Sequence, residues 1–158
     1  MAVKPIPEGS SVVSPYLSVI NAPAMIDFYK KAFGASETMR LQMPDGRVGH
    51  AELTIGGALI MLADEFPERG FLSPKSIGSN ARSPVAIHLY VEDVNAVYQR
   101  ALSSGATSAK EPTDEFFGDR NAHVVDPSGH VWFLSSRIEE VSPAEMQRRL
   151  DEMMKQQG

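Results

Sequence analysis

RVGHAELTIGGALIMLA, residues 47–63, is the stretch whose reading decides the fold. Ala51, Leu53 and Ile55 are apolar, and His50, Glu52 and Thr54 alternate with them. Successive side chains of a strand point to opposite faces, so this period of two predicts a strand with one face on a core and one face polar. Gly56-Gly57 is a two-residue hairpin signal, because such turns require positive φ at both positions. Residues 58–63 then run back as a largely apolar strand.

The pattern returns downstream. RNAHVVDPSGHVWFLSS, residues 120–136, places Arg120-x-x-His123 opposite Arg47-x-x-His50, an offset of 73. A glycine follows each histidine six residues on, at Gly56 and Gly129. Further upstream, Tyr29-Lys30-Lys31-Ala32-Phe33-Gly34-Ala35 answers to Tyr98-Gln99-Arg100-Ala101-Leu102 and then Gly105-Ala106. Matches in the same order predict two copies of one unit.

Each copy reads as strand, helix, strand, strand, strand. In the first, strands are predicted at 12–20, 36–43, 47–55 and 58–63. A helix at 21–33 carries Met25, Phe28, Tyr29 and Ala32 on one side and stops at Gly34. In the second, strands are predicted at 85–91, 107–111, 121–126 and 130–136. The helix at 94–103 buries Val94, Val97, Tyr98 and Ala101. The fold class is α+β, two βαβββ modules plus a C-terminal helix. The boundaries are an arm at 1–11, one domain at 12–137 and a helix at 141–157. Within the domain, module 1 spans about 12–63, a linker 64–83, and module 2 about 84–137. Ser142, Pro143 and Glu145 have the order of a helix N-cap, first turn and capping box. Met146, Leu150 and Met153 or Met154 give that last helix an apolar stripe, suited to its own domain or a dimer partner. The linker 64–83 and the stretch 112–120 read as candidate lids over a pocket.

Composition bounds the function. The 158 residues are 42% hydrophobic and 22% charged, as in an ordinary globular protein. The net charge is −5 and the 15 Lys and Arg are scattered, so nucleic acid is not an expected partner. The absence of Cys excludes disulfides and thiolate chemistry. No segment reads as a signal peptide or reaches the length that spans a bilayer, so the expectation is a soluble, cytoplasmic protein without membrane contact.

If helices cover the faces holding Ala51, Leu53, Ile55, Ile87 and Leu89, the opposite, concave faces present Tyr16, His50, Glu52, His88, Tyr90 and His123. Such a set suits polar residues of a wet pocket, acid–base or ligand-recognition work, or metal ligation. No tight H-x-x-x-H spacing singles out metal. His130 has the other parity and reads as structural. Asp119 and Arg120 read as an ion pair pinning the loop, with Arg120 otherwise available to an anionic ligand group.

The chain resembles the vicinal oxygen chelate superfamily of glyoxalases, bleomycin-resistance proteins and dioxygenases, and within it the PhnB-like branch. The resemblance rests on Ser14-Pro15-Tyr16-Leu17, 28–35, His50-Ala51-Glu52-Leu53, 88–94, Gly118-Asp119-Arg120, Asp126-Pro127-Ser128-Gly129-His130-x-Trp132 and 140–146. It implies curved sheets around a pocket and a homodimer. In metal-using members four strand positions hold His or Glu; here they are Ser14, Met61, Ala86 and Phe133, none of which ligates a divalent metal well. The resemblance thus implies no metal cofactor and an apolar pocket floor for a small, partly hydrophobic ligand. Tyr16, Met61, His88, Tyr90, Arg120, His123 and Phe133 are the candidate ligand-binding residues, with Phe116 and Phe117 as further stacking surfaces. His50 and Glu52 are the candidate catalytic pair. Ligand binding ranks first, a metal-independent lyase or isomerase using Glu52 or His50 second, and a metalloenzyme with a displaced His/Glu site third.

Overall fold

The computed structural model describes residues 3–78 and 83–156. Those parts of the arm, the linker and the terminal helix that fall on residues 1–2, 79–82 and 157 lie outside the described residues. The chain divides into two compact units, 1–83 with 127–130, and 84–126 with 131–158.

The first unit contains β1 (Tyr16–Val19), α1 (Ala22–Phe33), β2 (Ser36–Gln42), β3 (Val48–Ile55), β4 (Ala58–Asp64), a 3-10 turn at Pro67–Arg69 and α2 (Pro74–Ile77). Its sheet has the order β1-β4-β3-β2, with β1 parallel to β4 and the other pairs antiparallel. The Asn21 side chain caps α1 by accepting from the Ala24 amide, and Gly34 ends it in the left-handed conformation. Between these caps Met25, Ile26, Phe28, Tyr29, Ala32 and Phe33 are buried, together with Ala51, Leu53, Ile55, Ile60 and Leu62 of the sheet. Gly56 and Gly57 have φ of 55° and 82°, as the two-residue hairpin requires. Asp64 closes the unit from inside. It is buried and accepts from the amides of Ala22 and Val48, each at 2.7 Å.

The second unit repeats the plan: β5 (Ala86–Tyr90), α3 (Val94–Ser103), β6 (Thr107–Asp114), β7 (Asp119–Val125), β8 (Val131–Arg137), then α4 (Pro143–Gln156). The sheet order is β5-β8-β7-β6. Val94, Val97, Tyr98 and Ala101 of α3 are buried, as are Ala122, Val124, Trp132 and Leu134. Trp132 satisfies its indole N–H on Asp126 at 3.0 Å. Ser142 caps α4 by accepting from the Glu145 amide. Arg149 ties the helix to Glu139 and to the Phe116 carbonyl, while Met153 and Met154 stay exposed.

Three expectations need correction. The strand expected at 12–20 begins only at Tyr16; Val12 and Val13 are exposed ahead of Pro15. The stretch 112–120 is not a long loop. Pro112, Thr113 and Asp114 belong to β6, an edge strand where a missing N–H costs no ladder bond, and a four-residue turn leads into β7. The third concerns the repeat. Met61 pairs with Tyr16 and Glu52, and Phe133 pairs with His88 and His123. By register, His123 therefore matches Glu52, and His50 matches Asn121. The β3–β4 connection has two residues and the β7–β8 connection five, from Ile55 to Ala58 against Val125 to Val131, so a constant sequence offset does not hold across them.

Candidate functional site

The face of the first sheet opposite α1 is built from two rows across the strands. One is Tyr16, Met61, Glu52 and Met39; the other is Ser18, Ala63, His50 and Leu41. Here the structure joins three of the expected residues. The Tyr16 hydroxyl lies 2.8 Å from His50 Nδ1, and His50 Nε2 lies 3.2 Å from Glu52 Oε1. A carboxylate only accepts, so Nε2 carries the hydrogen and Nδ1 accepts from the phenol. Burial, and then the charge of Glu52, push the Tyr16 pKa above its usual value, so the phenol keeps its proton as a donor. His50 and Glu52 are each about a quarter exposed, within reach of solvent or a ligand.

Beside this relay is a cavity of about 330 Å³ lined by Tyr16, Met43, Gly49, Ala63, Phe66, Arg69 and Phe71. Tyr16 belongs to both, and Phe71 meets its ring edge-on at 5.8 Å. The segment 66–71 is folded back by paired backbone hydrogen bonds between Phe66 and Phe71, of 2.8 and 3.1 Å. Gly49 lets the Met43 side chain pack directly on the backbone: a Cβ there would stand 2.9 Å from Met43 Sδ. The size and the aromatic walls suit a small planar molecule. Apart from Tyr16 none of these lining residues was singled out from the sequence, although Phe66, Arg69 and Phe71 fall in the linker 64–83 that reads as a candidate lid.

The second unit presents two parallel rows of its own: His88, Phe133, His123 and Lys110, then Tyr90, Ser135, Asn121 and Thr113. His123 stacks on Phe133 with centroids 3.8 Å apart. Burial, then the charges of Lys110 and His88, lower the His123 pKa from 6.5. His88 Nε2 lies 3.0 Å from Ser135 Oγ, which also accepts from Asn121 Nδ2 at 2.8 Å. Since Ser135 accepts from the amide, its own hydroxyl hydrogen is free to go to His88. Tyr90 donates to buried Asp119 at 2.8 Å.

Arg120 departs from expectation. β7 starts at Asp119, so alternation puts Arg120 on the face of buried Ala122 and Val124, opposite His123. Its guanidinium is engaged by Asp114, not by Asp119, whose partners are Tyr90 and, at 3.5 Å, Arg137. Phe116 and Phe117 pack edge-to-face on each other at 5.3 Å in the β6–β7 turn. His130 donates to the Ser18 carbonyl at 2.8 Å, and buried Ser128 accepts from the Ile20 amide.

The positions that the resemblance assigns to metal ligands hold a hydroxyl at Ser14 and a thioether at Met61 in the first unit, and a methyl at Ala86 and a phenyl ring at Phe133 in the second. Neither pair offers the donors that a hard or borderline divalent ion takes. Among the described residues no three His, Asp or Glu side chains converge as ligands.

Residues 12–134 match the model of the glyoxalase/bleomycin resistance protein/dioxygenase superfamily, and the chain belongs to that superfamily. It is 44% identical to an uncharacterized protein of Mycobacterium bovis over 138 residues, 85% of this chain and 89% of that one. An uncharacterized protein of Mycobacterium tuberculosis matches with the same identity, over 79% of its length. Among solved structures, a gene product from Arabidopsis thaliana is 28% identical with a TM-score of 0.64, covering 79% of this chain and 98% of that one. The fosfomycin resistance protein FosX from Listeria monocytogenes, complexed with Mn(II) and sulfate, shares the fold alone. It is 16% identical, with a TM-score of 0.62 over 89% of this chain and 98% of that one. No described helix is long and apolar enough to cross a membrane.

Proposed function

We propose that this protein binds a small, planar, partly hydrophobic molecule in the cavity beside Tyr16 and does so without a metal ion. The observation that carries the reading is the cavity itself: three aromatic rings and Met43 around open space, with Tyr16 anchored by His50 so that its ring is held in place. The donor-poor set Ser14, Met61, Ala86 and Phe133 supports the metal-free part. The raised Tyr16 pKa keeps the phenol protonated, so it can serve as a hydrogen-bond donor beside the cavity. The face of the second unit that carries His88, Tyr90, His123 and Phe133 is proposed, by itself, as a polar–aromatic recognition surface. Membership of the PhnB-like branch, a homodimeric state and a cytoplasmic location belong to the proposal too.

Equilibrium dialysis of metal-stripped protein against planar aromatic compounds, with mass analysis of what is recovered, tests this. One-to-one binding of unaltered compound, indifferent to EDTA, is expected; binding that needs added Mn²⁺ or Zn²⁺ contradicts it.

A second reading, a metal-independent lyase or isomerase, draws on one observation. Only Oε1 of Glu52 takes the His50 hydrogen bond, which leaves Oε2 to accept a substrate proton. It requires that compound be recovered altered over many turnovers, and that Glu52→Gln lower the rate by roughly a hundredfold or more while binding persists.

A further inference from the structure

Arg69 is the one charged residue in the cavity wall, and no carboxylate lines the cavity with it. Its surroundings separate it from the other described arginines of its unit, Arg40 and Arg47. Arg47 sits over one side of the Phe66 ring, 4.2 Å from the centroid, and is matched by Asp45 at 2.7 Å and Glu68 at 2.9 Å. Arg40 is matched by Glu37. Arg69 lies 5.3 Å from the same Phe66 ring and has no ion-pair partner among the described residues. The two cations near Phe66 therefore differ: Arg47 is held at contact distance by Asp45 and Glu68, whereas Arg69 feels the charge of Glu68 without an ion-pair contact and keeps its guanidinium donors for a ligand.

We infer that the cavity selects an aromatic or similarly planar monoanion, a carboxylate above all, with the ring between Tyr16, Phe66 and Phe71 and the anionic group on Arg69. The inference rests on the proposed ligand-binding function and deepens it by naming the ligand's charge class. A guanidinium presents paired N–H donors in the geometry a carboxylate accepts, so the match is one of shape as well as charge. The aromatic walls supply contact area that any planar ring exploits, whatever its charge. Charge selection therefore falls on Arg69, and ring binding on the walls. That division lets the two be tested apart.

The probes are 2-naphthoate and 2-naphthamide, which share a ring system and differ in charge. Each is titrated into the full chain at low ionic strength and followed by calorimetry. The wild type is expected to bind naphthoate about tenfold more tightly than naphthamide, as one charge-assisted hydrogen-bonded pair allows. Arg69→Gln, a change on an exposed side chain, is expected to bring naphthoate down to the naphthamide affinity and leave naphthamide unchanged. Gly49→Leu, which fills the cavity against Met43, is expected to weaken both. Phe71→Ser, which removes a wall without adding volume, is expected to do the same. Equal affinity for the two probes in the wild type, or an Arg69→Gln chain that keeps its preference for naphthoate, overturns the inference. If the wall variants still weaken both probes in that case, the ligand-binding function stands and only the charge class is lost. If neither probe binds saturably to the wild type, the binding function fails along with the inference.

Discussion

At the scale of single residues, alternation along β3 was enough to put His50 and Glu52 on one face with Tyr16. It was not enough to show that they form a chain of hydrogen bonds, because that depends on which rows the strands align. Arg120 was misplaced for a related reason. The Gly-bearing, Pro-bearing stretch before it looked like a loop, and a loop residue has no parity; once β7 begins at Asp119, parity turns Arg120 away from His123. His123 itself carries a prediction. Its folded pKa lies below the ordinary value of 6.5, so its neutral form is favoured in the folded protein. Over the window below 6.5 the unfolded chain binds more protons than the folded one, and stability falls as pH falls through it. Above that window the contribution is fully present. Thermal unfolding between mildly acidic and neutral pH is expected to show this loss, and His123→Gln is expected to remove part of the slope, since an amide does not titrate. Identical slopes in the two proteins contradict it.

At the scale of elements, caps and hairpins were the legible features. Gly34, the Gly56-Gly57 pair and Ser142 do what their residue types suggest, while Asn21, read as the first residue of its helix, instead caps it. The segment 66–71 was not legible, since its return is fixed by the Phe66–Phe71 backbone pairing and by rings that meet residues distant in sequence. Gly118 shows how tightly one turn can be specified. Its φ is +94°, its carbonyl accepts from the amides of both Ile138 and Glu139, and a methyl group there would collide with the Glu139 carbonyl oxygen and Val141. The Glu139 backbone cannot swing aside as a side-chain end does, and the backbone conformation disfavours any Cβ. Gly118→Ala is expected to destabilise the second unit by about 1–3 kcal/mol or more and to loosen the segment leading into α4. Chemical denaturation and limited proteolysis within 138–142 read both effects; a wild-type midpoint with unchanged protection runs against it.

At the scale of the whole molecule, the repeat was legible from one hairpin and its echo, and both sheets follow it strand for strand. The pairing of functional positions between the copies was not, because connections of unequal length shift the register by an amount no alignment of short motifs reveals. The correction matters for chemistry. Glu52 and His123 are the equivalent residues, one in a hydrogen-bonded relay and the other stacked on a phenyl ring, so the two copies have been put to different uses. The superfamily fold is kept in both units. The proposed binding site is the cavity beside Tyr16, and an amide ¹⁵N–¹H spectrum of the labelled chain titrated with neutral 2-naphthamide tests it most directly. Saturable shifts centred on Gly49, Ala63, Phe66 and Phe71 are expected. Shifts that fail to saturate at millimolar probe, or that saturate only at residues away from this cavity, would contradict it.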